Sequence, residues 1–264
     1  MYYSNDDKEK IFKNIRRDGY SQLKDCYSED QLNKVKNSLL SMLNYIKHDD
    51  KITNLHEKYY QIKDYNPILK GHFFDMCSFE LETLQLLHQP KILDLVKSYF
   101  KTDVVFSGGP GVHMRDSENE RILIGHQETH QFARDFLFVW APLYDAKGDQ
   151  GGLIVYKDSH KHGYWQHNTN NTLGSSSINP EILKKFKGEK IEVDAGSALL
   201  IHSALIHASA KTLKKKFIRF VITDRICPLQ KVPYLKKEDV PIKIPYPGHG
   251  DGGDGVDYTA ISDD

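Results

Sequence analysis

The sequence predicts a mainly β protein with helices packed on its outside, an antiparallel sandwich or barrel of jelly-roll type. Two observations carry this. Residues 1 to about 100 have helical periodicity, whereas from residue 101 the apolar runs shorten to strand length and are separated by turn residues. The runs "DVVFSGG", "RILIG", "DFLFVWAPL", "GGLIVY", "KIEVDAGSALLIH" and "KFIRFVITDR" also follow one another without helical crossovers, which argues against a βαβ sheet.

In the helical part, "SEDQLNKVKNSLLSMLNYIKHD" starts with Ser28 as N-cap and Gln31 as its capping-box partner. Leu32, Val35, Leu39, Leu43 and Ile46 then recur at helical spacing. A helical pair follows, "SFELETLQLLHQ" and "PKILDLVKSYF", with Pro90 at the first helical position of the second. Between the first helix and this pair, residues 48–77 read as a long loop carrying Tyr59, Tyr60 and Tyr65, of the kind that is either functional or simply variable surface. The expected organisation is one domain, residues 1–247, with a helical part to about 100 and a jelly-roll core over about 101–230. Residues 248–264, "GHGDGGDGVDYTAISDD", are rich in glycine and aspartate and read as a mobile tail or, alternatively, a single calcium-binding turn.

Composition narrows the function. With 264 residues and 39 % hydrophobic content the chain can fill a sizeable core. Lysine plus arginine balance aspartate plus glutamate at 36 each, so no overall field of one sign is available for nucleic acid or an anionic membrane. No apolar run is long enough to span a bilayer and "MYYSNDDKEK" is too polar for a secretion signal, so a cytoplasmic location is expected. Cys26, Cys77 and Cys227 lie far apart and read as reduced, partly buried thiols.

The chemistry concentrates in "GHQETHQF". On a strand His126 and Glu128 point to the same side and can grip one ion together, but a third ligand is needed. "AGSALLIHSALIHAS" offers two, His202 and His207, each at the end of an apolar run. Two imidazoles and one carboxylate leave up to three coordination positions open, which suits non-haem Fe(II). Zinc is the rival, although no HExxH is present and a hydrolytic zinc site usually keeps one position open. Arg219 lies within an apolar strand, and a buried guanidinium must be paired, either with a structural carboxylate or with a carboxylate-bearing cosubstrate.

Together, the HxE motif, the distal histidine and the following arginine resemble the Fe(II)/2-oxoglutarate-dependent dioxygenases, specifically the phytanoyl-CoA dioxygenase-like family. The resemblance extends to "DGYSQLKDCYSEDQLNKVKNSL", to "GGLIVYKDSHKHG" and to "GSALLIHSALIHAS", in which the second histidine is the family's metal ligand. It implies a double-stranded β-helix, cupin-like core, with His126, Glu128 and His207 as iron ligands and catalytic centre. Arg219, assisted by Ser209, would hold the distal carboxylate of 2-oxoglutarate. Trp140 matches the family tryptophan beside the cosubstrate, a position a core aromatic could equally fill, and Met114 matches a residue on the strand before the triad. Glu128 stands where the family more often has aspartate, and Lys157-Asp158 where it usually has Pro-Gly. The implied reaction couples O2 and decarboxylation of 2-oxoglutarate to succinate and CO2 with hydroxylation of a small-molecule substrate. The rival readings are a non-catalytic jelly roll that binds a ligand and a zinc hydrolase on the same fold.

For the substrate, the segment "HQFARD" after the HxE motif is polar, and His130, Arg134 and Tyr60 are the candidate substrate contacts, Tyr60 from the 48–77 loop closing over the barrel mouth. A small polar metabolite such as a sugar derivative, amino acid or natural-product intermediate is favoured over a long-chain acyl-CoA.

Overall fold

A computed structural model of the chain describes residues 2–77, 79–106, 111–118, 125–128, 135–165, 167–168 and 177–231. The tail at 248–264, all of the "RILIG" run except Gly125, and both His130 and Arg134 fall outside them. The chain opens with α1 (Asn5–Asp18), capped by the Ser4 hydroxyl and ended at Gly19, whose φ of 85° is the left-handed turn that glycine adopts without strain. After β1 (Tyr20–Leu23) comes α2 (Glu29–Ile46) with the expected capping box. The Gln31 N–H donates to Ser28 Oγ at 3.2 Å and the Ser28 N–H to Gln31 Oε1 at 2.9 Å. Leu32, Val35, Leu39 and Leu43 form the buried stripe.

Most of residues 48–77 is not a loop. It folds as α3 (Leu55–Tyr65) and α4 (Pro67–Cys77). The Asn54 side chain caps α3 by accepting from the N–H groups of His56 and Glu57, and Leu55, Tyr59 and Ile62 make its buried stripe. The tyrosines that suggested a loop are thus partly a helix's packing face. Next are α5 (Leu81–Leu87) and α6 (Pro90–Phe100), the latter with Pro90 in its first turn as expected.

The β region runs β2 (Val104–Phe106), β3 (Gly111–Asp116), β4 (Leu137–Pro142), β5 (Gly152–Tyr156), β6 (His167–Asn168), β7 (Ser177–Ile178), the short α7 (Pro180–Leu183), β8 (Gly188–Ile191), β9 (Ala198–His202), β10 (His207–Ala210) and β11 (Ile218–Pro228). All pairings among the described residues are antiparallel. The larger sheet has the order β1-β9-β4-β11, and the far edge of β11 pairs first with β3 and then with β2. The smaller sheet is β10-β5-β8, and β6 pairs with β7.

Strand alternation divides the interior in two. Phe138 and Trp140 on β4, Leu199 and Ile201 on β9, and Val221 and Cys227 on β11 meet Leu153, Val155 and Ile191 of the smaller sheet. The opposite face of the larger sheet, including Val139, Leu200, Phe220 and Ile222, packs against the helices. Mainly β with flanking helices is therefore the observed class, and the two facing sheets form the jelly roll. The three cysteines are buried and none is in a disulfide. Among the described residues no helix is long and apolar enough to cross a membrane.

Candidate metal centre and anion pocket

His126 and His207 face each other across an antiparallel bridge: each backbone N–H donates to the other's carbonyl, at 2.9 and 3.0 Å. Two adjacent backbones thus carry two imidazoles side by side, with ring centroids 4.4 Å apart. Glu128 reaches the same point, its Oε1 lying 3.4 Å from His126 Nε2 and 3.5 Å from His207 Nε2. Among the described residues these three form a group whose ligating atoms lie within 4.8 Å of one another. The His207 Nδ1–H donates to the Leu205 carbonyl at 3.0 Å, which leaves the Nε2 lone pair free to face the centre. Phe138 stacks on the same imidazole, with centroids 5.7 Å apart and planes at 24°.

Gln127, between the two motif residues, points the other way and anchors the segment. Its amide donates to the carbonyls of Gly163 at 2.9 Å and Ala204 at 2.6 Å, and its oxygen accepts the Trp165 N–H at 2.9 Å. A completely buried side chain with three polar partners holds the HxE stretch in register. Burial and the neighbouring His126 lower the His207 pKa below its ordinary 6.5, despite the opposing pull of Glu128, which favours the neutral ligand form. Burial alone would raise Glu128, but the Arg225 charge and the hydrogen bonds from both histidines hold it well below the usual carboxylate range.

Arg225 is the partner that sequence reasoning missed. Its Nε donates to Glu128 Oε2 at 2.8 Å and its Nη2 donates to the same oxygen. The available signal was alternation: Arg219, Val221, Thr223 and Arg225 occupy one face of β11.

His202 faces away from this centre. Its strand neighbours Leu199 and Ile201 point into the jelly roll, so His202 lies on the helix-facing side, and its Nδ1 accepts the Ala204 N–H at 3.1 Å. There it lines a cavity of about 420 Å³ with Tyr99, Asp135, Leu137, Pro228 and Gln230. Leu137 belongs to the helix-side core, so the larger sheet stands between this cavity and the His126, Glu128 and His207 group.

Arg219 extends across the interior to the strand that carries His207. Its Nη2 donates to Ser209 Oγ at 3.1 Å, and its Nη1 to the carbonyls of Gly152 at 2.5 Å and Ala210 at 3.3 Å. Trp140 lies under the guanidinium, 5.7 Å from ring centroid to Cζ. The glycine pair at the start of β5 makes this approach possible. A Cβ on Gly151 would sit 3.0 Å from Arg219 Nη1, and one on Gly152 would sit 2.8 Å from the Ile191 carbonyl, with φ angles of 103° and 144°. No structural carboxylate pairs with Arg219 among the described residues; its hydrogen bonds go to carbonyls and a hydroxyl. Nε is buried with no partner among those residues, and Arg115 stands opposite in the β3–β11 register. Burial and Arg115 together push the Arg219 pKa down to about 9, so it remains protonated at neutral pH. A buried, charged guanidinium with a donor to spare beside a second arginine fits a carboxylate ligand.

Two expected contacts are corrected. Met114 is on the wrong face of β3: it pairs with Phe220 and packs in the helix-side core, while His113 and Arg115 take the inward positions. Tyr60 is also displaced, because α3 replaces the expected lid. Its hydroxyl donates to the Phe217 carbonyl at 3.4 Å, at the start of β11, whereas Arg225 is eight positions along the same strand, about 26 Å away at full extension.

Comparison with known proteins agrees with this architecture. The non-haem monooxygenase ThoJ in its apo form matches with 16 % identity and a TM-score of 0.57, over 83 % of this chain and 77 % of that one. The non-haem alpha-ketoglutarate-dependent carbocyclase SnoK from nogalamycin biosynthesis matches with 11 % identity and a TM-score of 0.60, over 86 % and 84 %. The epimerase SnoN in complex with Fe3+, alpha-ketoglutarate and nogalamycin RO matches with 12 % identity and a TM-score of 0.55, over 85 % of each chain. At such identities these likenesses show the fold alone. No curated protein matches by sequence. The family model for phytanoyl-CoA dioxygenase (PhyH) matches residues 15–219, from α1 through His126 and His207 to Arg219, and the chain belongs to that family.

Proposed function

We propose that the chain is an Fe(II)- and 2-oxoglutarate-dependent oxygenase that hydroxylates a small polar metabolite and releases succinate and CO2. The observation that carries this is the pairing of the His126, Glu128 and His207 group with the Arg219–Ser209 contact. Ser209 follows His207 by two positions on β10, about 6.6 Å along the strand, a spacing suited to a short dicarboxylic acid with one end at the metal and the other on the guanidinium.

His126, Glu128 and His207 would hold the iron, and Arg219 and Ser209 the distal carboxylate of 2-oxoglutarate, over the Trp140 ring. Iron bound there supplies the activation of O2 that is coupled to decarboxylation of the cosubstrate. The chain supplies orientation and dryness: Phe138, Trp140, Leu199 and Val221 belong to the apolar interior around the site, and at His207 burial favours the neutral ring while the Leu205 carbonyl fixes its rotation before any ligand arrives. The partners are small molecules only: the substrate, 2-oxoglutarate and O2. Hydroxylation is the reaction proposed for this chain, although the structural neighbours include an enzyme described as an epimerase and one described as a carbocyclase. The preference for a polar substrate rests on the polar "HQFARD" segment directly after the metal-binding motif.

The test is anaerobic loading with Fe(II), followed by O2 and 2-oxoglutarate, with succinate measured against panels of amino acids, sugar nucleotides and acyl-CoAs. Succinate formation tied to a product heavier by one oxygen is expected with a polar substrate. A tightly held zinc ion without succinate formation would overturn the oxygenase reading, and coupled turnover on long-chain acyl-CoA alone would overturn the substrate class.

A further inference from the structure

We propose that Arg225 is a positioning residue that makes Glu128 a one-oxygen ligand, and that the glutamate side chain at this position is matched to that partner. The inference rests on the reading of His126, Glu128 and His207 as a metal site. Its basis is a division of labour between the two carboxylate oxygens. Oε1 faces the two histidine Nε2 atoms, and Oε2 takes two donors from one guanidinium, Nε at 2.8 Å and Nη2.

The three ligands differ in what fixes them. The histidine backbones are locked by their mutual bridge, and the His207 ring by the Leu205 carbonyl and Phe138. Glu128 has three side-chain torsions and needs an external hold, because an unrestrained carboxylate would lose that freedom on binding or turn both oxygens to the metal. Arg225 is itself held: it is paired with Phe138 in the β4–β11 register, and its Cζ lies 5.2 Å from that ring's centroid. Phe138 therefore touches both His207 and Arg225, which ties the guanidinium to the ligand set through one aromatic surface. An aspartate would be shorter by one carbon–carbon bond, about 1.5 Å, and could not keep one oxygen at the histidines and the other on Arg225. The replacement of the family's usual aspartate by glutamate and the placing of Arg225 are then one feature. Keeping Oε2 on the guanidinium leaves the remaining coordination positions for cosubstrate and O2.

The experiment uses the metal-free full chain titrated with Co(II) in competition with a chelator, while visible absorption reports coordination number and 2-oxoglutarate is then titrated into the Co(II) form. Wild type should bind one Co(II) per chain. Arg225→Gln should keep the metal, show the weaker absorption of a higher coordination number as Oε2 joins it, and bind 2-oxoglutarate about tenfold to a hundredfold more weakly. Arg225→Lys, with one donor nitrogen in place of two, should recover part of that loss. Glu128→Asp probes the same contact from the other side and serves if Arg225→Gln does not fold; it should weaken 2-oxoglutarate binding comparably, with the double variant no worse than either single one. A folded Arg225→Gln or Glu128→Asp protein with the wild-type Co(II) spectrum and wild-type 2-oxoglutarate affinity overturns the role of Arg225 alone. Failure of wild type to bind Co(II) overturns the metal reading and this inference with it.

Discussion

His202 and His207 each end an apolar run only five positions apart, yet they face opposite sides of the structure. The difference is one of strand phase, and it decides which of them can be a ligand. His207→Ala and His126→Ala should each abolish metal retention, since each supplies a nitrogen that no neighbour can replace, whereas His202→Ala should keep one metal per chain. Metal content after anaerobic loading and desalting checks this, and equal losses in the His202 and His207 variants would refute the assignment. At the same scale, Arg219→Lys should leave the metal in place but weaken 2-oxoglutarate binding at least about tenfold, because a point charge cannot reproduce the contacts a planar fork makes with Ser209, the strand carbonyls and a ligand carboxylate at once. Calorimetric titration of the metal-loaded variant gives that number directly, and unchanged affinity would reduce Arg219 to a packing role.

The elements whose function follows from their own periodicity were readable in the sequence, and those that depend on register were not. The Ser28 and Gln31 capping box, the α2 stripe, the HxE pair on one face and the placing of Arg219 within an apolar strand all follow from spacing within one segment. Met114 failed because its face depends on the pairing of β3 with β11, where a shift by one residue exchanges inward and outward positions. Arg225 was missed although it continues the Arg219 face, because its partner lies 97 positions earlier in the chain. The α3 segment misled through its tyrosines, while the Asn54 cap and the Leu55, Tyr59 and Ile62 spacing were the better signals. As α3 is core and not lid, Ile62→Ala, at a fully buried position, should destabilise the fold by about 2 to 5 kcal/mol. Tyr60→Phe, which removes the hydroxyl and its 3.4 Å bond to the Phe217 carbonyl but keeps the packed ring, should leave substrate KM unchanged. Denaturant unfolding tests the first and steady-state kinetics the second; a KM change of tenfold in Tyr60→Phe would restore the lid.

On the scale of the whole molecule, the larger sheet is a wall shared by two interiors, and β11 serves both. Arg219, Val221, Thr223, Arg225 and Cys227 face the jelly roll, while Ile218, Phe220, Ile222, Asp224 and Ile226 face the helices. Asp224 is the one polar group in that second set. It is 1 % exposed, its Oδ1 accepts the Arg225 N–H at 2.6 Å, and its Oδ2 has no hydrogen-bond partner among the described residues. Burial pushes its carboxyl from the ordinary 3.8 up to about 7, against the smaller opposing pull of the Arg225 N–H and charge. Between those two values the folded state holds a proton that the unfolded state has released. The stability it contributes is complete below pH 3.8 and is lost as pH rises through 7. His56 and His202 act in the opposite direction: burial holds both down to about 4, helped by Lys214 and Lys36 at His56 and by His160 at His202, so stability falls as pH drops from 6.5 towards 4. Asp224→Asn removes only the first of these effects. The variant should match wild type below about pH 4 and gain on it steadily to about pH 7, reaching a constant advantage on the order of 4 kcal/mol above that. Unfolding free energies measured on both proteins from pH 4 to 8 test this, since the histidine contributions cancel in the difference, and a stability gap that did not widen with pH would show that Asp224 is ionised in the folded protein.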